Sequence, residues 1–483
     1  MNFGMIRYVL GWVLLCEGAL LLLPAAVSLG CGESAVWALL GAAALCGAFG
    51  GLLVCRKPKN RVMYQREGFV ITALAWIAIS IMGALPFLFT GDIQNPVDAL
   101  FETVSGFTTT GASILVDVEV LPRGLLFWRS FTHWIGGMGV LVFLLTVLPM
   151  TGGHAGGSHV NLMKAESPGP QVEKLVPKVK STASILYGIY IALTAMQIVL
   201  LLAGGMTAFE AVTTAFGTAG TGGFGIRNDS IASYSPYLQS VVTVFMILFG
   251  INFNVYFLLL LGKFKKAFSV EEVRWYFGII AAAILFITFD IRTMYSGFGE
   301  ALRHAAFQVG SIITTTGFAT TDFDMWPMAS KTILVMLMFI GACAGSTGGG
   351  IKVSRLVILH RTFRQERRRH LHPSRISVTT MDGKVIPPDV VRTTNVFVVA
   401  YVLIFFWSML LISLNGFDFT TNFTAIAATL NNIGPGLAQV GPTCNFAAFS
   451  GFSKLVLIFD MLAGRLELFP LLLLFTRDTW RRF

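Results

Sequence analysis

The chain has 483 residues, of which 55% are hydrophobic and only 12% charged, and its mean hydropathy is +0.72. Ordinary soluble domains are about 25% charged, so the composition excludes a soluble globular protein and requires a membrane. The formal charge of +10 has two common meanings, nucleic-acid binding and membrane topology; dispersal of the cations over several separate segments excludes the first.

In chain order, ten segments read as spans of the hydrocarbon core, which takes about 20 apolar residues to cross: 6 to 29, 35 to 55, 69 to 90, 125 to 149, 182 to 204, 238 to 261, 275 to 290, 332 to 351, 395 to 414 and 453 to 475. The first follows Arg7 and ends in the small-residue run PAAVSLG, as a secretory signal would. Its apolar run is too long for a signal, so it is read as a retained helix. The span 275 to 290 is the shortest.

From the third span onward, each pair of spans encloses a short apolar segment that runs into Thr or Asn and then glycine: FETVSGFTTTGAS, FEAVTTAFGTAGTGGFG, FQVGSIITTTGFAT and FTAIAATLNNIGPG. The repeated unit is a membrane helix, a half helix with a glycine elbow, and a second membrane helix. Four units around one axis make a single pore lined by backbone carbonyls, which replace the hydration shell of a small alkali cation. The fold class is therefore an all-α polytopic membrane protein, with four pseudo-symmetric helix–pore-loop–helix repeats around one central pore and two extra amino-terminal transmembrane helices. Its division is 1 to 66 for the two extra helices and a basic loop, then repeats at 67 to 165, 166 to 265, 266 to 375 and 376 to 483.

A half helix entering from outside aims its carboxyl end, with its partial negative charge, at the middle of the membrane. The chain must then turn back with its carbonyls toward the axis, and glycine supplies positive φ without a Cβ penalty. The expected pore lining and cation-binding backbone is Thr109, Thr110 and Gly111; Gly222 and Gly223; Thr315, Thr316 and Gly317; and Asn432, Ile433 and Gly434. The copies are only approximately equal. Ten positions separate Phe101 from Gly111 and Phe307 from Gly317, against 14 from Phe209 to Gly223 and 11 from Phe423 to Gly434.

Glu102, Glu210 and Glu300 lie near the starts of the first three half helices. They either concentrate cations at the outer mouth or stabilise helix amino termini. The segment GACAGSTGGGIK, residues 341 to 352, is too rich in glycine for continuous helix and is expected to be a loop. It resembles a phosphate-binding loop, but Ile351 separates the last glycine from Lys352 and Val353 follows, so the pattern fails and ATP hydrolysis is excluded. Arg465 lies within the last apolar span, where a charge faces a bundle interior or water. It either repels the permeating ion below the pore lining or hydrogen-bonds loop carbonyls and helix ends.

With the amino terminus inside, 27 of the 35 Lys and Arg residues fall in cytoplasmic segments: Arg7, then 56 to 66, 164 to 180, 263 to 274, 352 to 392 and beyond 476. This follows the positive-inside rule and places both termini in the cytoplasm. The six cysteines form no CxxC pair, and His370 and His372 sit in a basic, solvated run, so neither set is read as a zinc site or disulfide framework.

The segments TTTGAS, GGFG, TTTGFATTD and NNIGPG, with GACAGSTGGGIKVSR and the closing GRLE at 464 to 467, resemble the TrkH family of bacterial potassium uptake subunits, in the Trk/Ktr/HKT superfamily. The resemblance covers essentially the whole chain. It implies that Gly111, Gly223, Gly317 and Gly434 are selectivity-filter glycines, and glycine at all four positions resembles the potassium-selective pattern. It also implies that the loop at 345 to 350 obstructs permeation from below, so that the expected gate is Gly345, Ser346, Thr347, Gly348, Gly349, Gly350 and Lys352 with Arg465. In the second elbow, TAGTGGFG has small residues where the resemblance implies bulkier aliphatic ones. The implied partners are a second copy of the chain and a cytosolic TrkA-like ring with nucleotide-binding domains, in the bacterial inner membrane; the chain itself carries no bound cofactor and only the permeating potassium. The basic segments 56 to 66, 164 to 180 and 361 to 392 fit either that ring or lipid headgroups. Nothing in the chain reads as an enzyme. An ion-coupled secondary transporter of a small solute, a class that also uses discontinuous helices, is the alternative.

Overall fold

The computed structural model describes residues 1–58, 63–139, 179–372 and 378–481. Helices α1 (Phe3–Gly30) and α2 (Ala35–Val54) form an antiparallel hairpin at the amino end. Small residues let the two backbones approach closely, as in many membrane helix pairs. A Cβ on Gly50 would lie 2.8 Å from the Gly11 carbonyl oxygen, and one on Gly11 would lie 2.7 Å from Val54.

Four repeats follow. The first comprises α3 (Gln65–Thr90), half helix α4 (Pro96–Phe107) and α5 (Arg123–Gly137). The second comprises α6 (Val179–Ala203), half helix α7 (Ala208–Ala219), α8 (Pro236–Phe249) and α9 (Phe253–Leu260), and short α10 (Phe264–Ser269) leads out of it. The third contains α11 (Glu271–Ile291), half helix α12 (Phe298–Ile313), α13 (Met328–Ile340) and α14 (Val353–Leu371). A two-stranded hairpin, β1 (Thr380–Met381) against β2 (Lys384–Val385), precedes the fourth repeat. That repeat holds α15 (Pro388–Ile412), half helix α16 (Phe419–Leu430), α17 (Gly451–Arg465) and α18 (Phe469–Leu474), and α19 (Arg477–Trp480) ends the described chain.

Three of the four half helices start where side-chain caps satisfy their first amide groups, and the third starts at Gly297 without one. Asn95 accepts from Val97 N at 2.9 Å, Thr207 and Glu210 form a capping box, and Asp418 accepts from Thr421 N at 3.1 Å. Three of the four are 12 residues long, or about 18 Å at 1.5 Å per residue. That is little more than half of the roughly 30 Å hydrocarbon core, so each carboxyl end stops near the middle.

Among the described residues, six helices are long and apolar enough to cross a membrane, and the pair α8 and α9, bent by 91°, makes a seventh if the two are taken as one span. The short span at 275 to 290 is part of the 21-residue α11. The spans expected at 238 to 261 and 453 to 475 are not single helices. The first breaks at Gly250 to Asn252, where Asn252 caps α9 by accepting from Asn254 N at 2.9 Å. The second breaks after Arg465, where Glu467 and Leu468 take φ of +53° and +68° and Pro470 starts α18. The third repeat is interrupted at 341 to 352, as its glycines require. The span expected at 125 to 149 continues beyond residue 139, outside the described residues, as does the basic stretch 164 to 178.

Candidate functional site

All four elbows have one backbone conformation. Each half helix ends in a Schellman turn, with six-to-one bonds from Thr110 N to Ser105 O (2.9 Å), Gly222 N to Gly217 O (2.9 Å), Thr316 N to Ser311 O (2.8 Å) and Ile433 N to Ala428 O (2.8 Å). The left-handed residue of each turn is Thr109, Thr221, Thr315 or Asn432, at φ +54° to +59°. Positive φ is costly for the β-branched threonines and less so for asparagine, and hydrogen bonds secure all four. Thr109 Oγ1 and Thr221 Oγ1 donate to the preceding carbonyls at 2.7 and 2.6 Å, Thr315 Oγ1 accepts from Gly349 N at 2.7 Å, and Asn432 Nδ2 donates to Thr110 Oγ1 at 2.9 Å. Two residues further on, Gly111, Gly223, Gly317 and Gly434 take φ of +78° to +98°. The unequal spacings in the sequence are absorbed upstream, within the half helices, so the elbow register is common to all four.

These glycines meet in a closed ring. A Cβ on Gly111 would strike the carbonyl oxygen of Gly222, one on Gly223 that of Thr316, and one on Gly317 that of Ile433. A Cβ on Gly434 would lie 2.8 Å from the Thr110 carbonyl oxygen, which returns the circuit to the first repeat. The outer rim closes in the same order: Val118 N donates to Asn228 Oδ1 (2.9 Å), Ile231 N to Ala319 O (3.0 Å), Ala438 N to Asp324 Oδ2 (3.1 Å) and Phe446 N to Ser113 O (2.8 Å). On this rim, the Asn228 side chain and the Glu119 amide hold the Asp117 carboxylate below its usual range. Thr109, Thr110, Gly111, Gly222, Gly223, Thr315, Thr316, Gly317, Asn432, Ile433 and Gly434 thus stand together.

The loop 341 to 352 packs directly beneath the third and fourth elbows. Gly349 donates to Thr315 Oγ1, and a Cβ on it would lie 2.5 Å from the Asn431 carbonyl oxygen; one on Gly348 would lie 2.9 Å from that of Thr314. The break in repeat two seats the other side of the loop: Thr347 Oγ1 donates to Phe249 O at 3.2 Å, Cys343 N to Gly250 O at 3.1 Å, and Gly345 O accepts from Phe253 N at 3.0 Å. Arg465 reaches the same loop. Its Nη1 donates to Thr347 O at 2.8 Å, and its Nη2 donates to the Gly136 carbonyl and, at 2.9 Å, to that of Gly137 at the end of α5. Arg465 therefore ties repeats one, three and four together.

Two carboxylates that the sequence did not assign to this loop hold its ends. Glu272, buried in the first turn of α11, accepts from Ala344 N (2.6 Å) and Ser354 N (3.1 Å). Glu467, buried beyond the end of α17, pairs with Lys352 at 3.0 Å and with Arg355, whose guanidinium lies 4.0 Å from the Phe397 ring centre. Lys352 itself has φ +79° and marks the downstream end of the loop.

The three acids near the half-helix starts differ. Glu210 and Glu300 serve helix starts: Glu210 accepts from Thr207 N at 3.0 Å and pairs with Arg227 at 2.7 Å, and Glu300 accepts from Ser296 N at 3.1 Å. Glu102 does neither of the two expected things. It is buried within α4, paired with Arg129 at 2.6 Å, and accepts from Ser113 Oγ and Ile114 N just beyond the first elbow.

A closed ring of four glycine elbows at membrane depth, enclosed by apolar helices, defines a polytopic membrane transport protein rather than an enzyme. The TrkH family profile, described as cation transport protein, matches residues 38–481. The chain belongs to this family. It is 36% identical to the "Trk system potassium uptake protein TrkH" of Salmonella typhimurium, covering 100% of both chains. It is 33% identical to the "Trk system potassium uptake protein TrkG" of Escherichia coli, over 89% of each. Its fold matches the crystal structure of the potassium transporter TrkH from Vibrio parahaemolyticus with a TM-score of 0.88 and 33% identity, covering 100% of both chains.

Proposed function

We propose that this chain is the potassium-permeating subunit of a Trk-type uptake system in the bacterial inner membrane, with both termini in the cytoplasm. The ring of elbows carries the reading: carbonyls of the residues before Gly111, Gly223, Gly317 and Gly434 abut the next glycine, so each repeat helps to fix its neighbour's lining. Such a ring replaces the hydration shell of potassium, and four half-helix carboxyl ends add negative potential beneath it. The permeating ion is cargo, and the chain needs no cofactor of its own to bind it. The repeats are taken as 67 to 165, 166 to 265, 266 to 375 and 376 to 483; the limits at 67 and 266 fall within α3 and α10, and those at 166 and 376 lie outside the described residues.

The loop from Gly345 to Gly350 stands in the path below the ring and acts as the gate, with Arg465 as the charge that holds it and repels the ion. Opening requires the loop to leave Thr315 and Arg465 to release Thr347. The control of that movement belongs to a homodimer seated on a cytosolic TrkA-like nucleotide-binding ring, docked at basic segments shared with lipid headgroups. Four like-oriented repeats closing one ring favour a pore over the two-part symmetry usual in ion-coupled solute transporters. The test is uptake of rubidium and sodium into liposomes holding the purified chain. Rubidium uptake down its own gradient, preferred over sodium and independent of any organic solute, is expected; dependence on a solute gradient would return the secondary-transporter reading.

A further inference from the structure

Three of the four residues preceding the ring glycines carry side chains, namely Thr110, Thr316 and Ile433, and the second, Gly222, carries none. The space is filled from another repeat. A Cβ on Gly222 would fall on the imidazole of His133, and one on Gly220 would strike the His133 carbonyl oxygen. His133 lies on α5 of repeat one and is fully buried. Its Nδ1 is 2.7 Å from the Gly106 carbonyl oxygen in the last turn of the first half helix, and its Nε2 is 3.2 Å from the amide nitrogen of Phe224, just past the second ring glycine. A carbonyl can only accept and an amide N–H can only donate. The neutral imidazole with its proton on Nδ1 is therefore the form that satisfies both bonds.

The ring is also clamped. His133 and Phe224 ring centres are 4.2 Å apart, and on Phe224 the Arg129 guanidinium sits 3.6 Å from the ring centre. Arg129 in turn donates to Gly225 O at 2.8 Å and pairs with Glu102. The stack Glu102, Arg129, Phe224 and His133 thus braces the second elbow from the first repeat.

We propose that His133 is a positioning residue for ion selectivity: it supplies in trans the side chain that Gly222 lacks and fixes the Gly222 carbonyl against Gly111, at the junction of the first and second elbows. This rests on the reading of the elbows as the filter. A loosened junction fits sodium as well as potassium, so the signature of the role is a changed ion ratio, whereas a merely structural histidine changes stability and total flux together.

The experiment uses the full-length chain in liposomes, with rubidium and sodium uptake measured alongside thermal unfolding in detergent. His133→Ala, which leaves a buried N–H and carbonyl without partners, is expected to lower the rubidium-to-sodium ratio by about tenfold. His133→Gln, whose amide offers one donor and one acceptor, should recover most of the ratio. Gly222→Ala should lower it in the parent, where it meets the imidazole, and much less in the His133→Ala background, a non-additivity expected only of touching groups. An unchanged ratio in folded His133→Ala overturns the proposal, as does an additive double variant. If His133→Ala does not fold, an unchanged ratio in Gly222→Ala overturns it. Gly317→Ser, at the opposite junction, separates the two readings. A ratio altered there but not by the His133 or Gly222 variants leaves the filter standing and removes His133; a ratio unaltered in Gly317→Ser and Gly111→Ser alike removes both.

Discussion

Gly111 has φ +79° and the Gly222 carbonyl where a Cβ would be. A residue with a side chain is strained there by about 1–3 kcal/mol before any collision is counted, and relief displaces the neighbouring carbonyl. Gly111→Ser is therefore expected to lower the preference for rubidium over sodium by about tenfold or more, since 1.4 kcal/mol is a factor of ten. Paired uptake measurements in liposomes check it, and unchanged selectivity in both Gly111→Ser and Gly317→Ser removes these glycines from the filter. The glycines were legible because positive φ at a close backbone approach selects glycine. The left-handed Thr109, Thr221, Thr315 and Asn432 were not legible as such, because partners close by or in other repeats secure a conformation that their residue types disfavour. Glu102 was misplaced for a related reason. Its partner Arg129 is 27 positions away, and nothing in the spacing near Glu102 announces the pair.

At the scale of elements, the second helices of repeats two, three and four are all interrupted, yet only the glycine-rich third break could be read directly. The break at 250 to 252 rests on one asparagine cap, and that at 466 to 468 on two residues with positive φ in an otherwise apolar run. Composition alone makes both look like straight spans. The resulting ends are what hold the loop. A unit charge a few ångströms from a permeating cation repels it by about 4 kcal/mol at an effective dielectric of 20. Arg465→Ala removes that charge and the bonds to Thr347, Gly136 and Gly137, so basal rubidium flux without any partner should rise while selectivity persists. Deleting Ser346 to Gly348 should act in the same direction. A stable Arg465→Ala protein with flux no higher than the parent counts against the gate; low expression and lower flux would mark a strut. Glu467→Gln is a different case, because it leaves the buried Arg355 and the half-buried Lys352 beside a neutral group. Breaking a buried ion pair costs about 3–5 kcal/mol, and a clear fall in unfolding temperature is the expected result, read by a thermal shift assay of the purified protein.

For the whole molecule, orientation comes from charge and pairing from geometry. The lopsided cations along the sequence carry the proposed sidedness of every loop, and the ring order of the repeats was visible only once the carbonyl contacts were in place. The exposed cysteines test that sidedness independently of transport. Cys31 follows α1 and Cys444 lies between the fourth half helix and α17, so both should face the outside, while Cys55 follows α2 and should face the cytoplasm; all three are exposed. Cys46 and Cys343 are buried and should stay unreactive in the folded protein, because thiol chemistry requires access as well as thiolate. In variants that each retain one of the three exposed cysteines, a membrane-impermeant maleimide applied to right-side-out vesicles is expected to label Cys31 and Cys444 at once. It should label Cys55 only after the membrane is opened with detergent. Labelling of Cys55 in sealed vesicles, with Cys31 and Cys444 protected until opening, would invert the chain and place the basic segments outside. The half helices would then enter from the cytoplasm, and the loop below the ring would become an outer gate beyond the reach of any cytosolic partner.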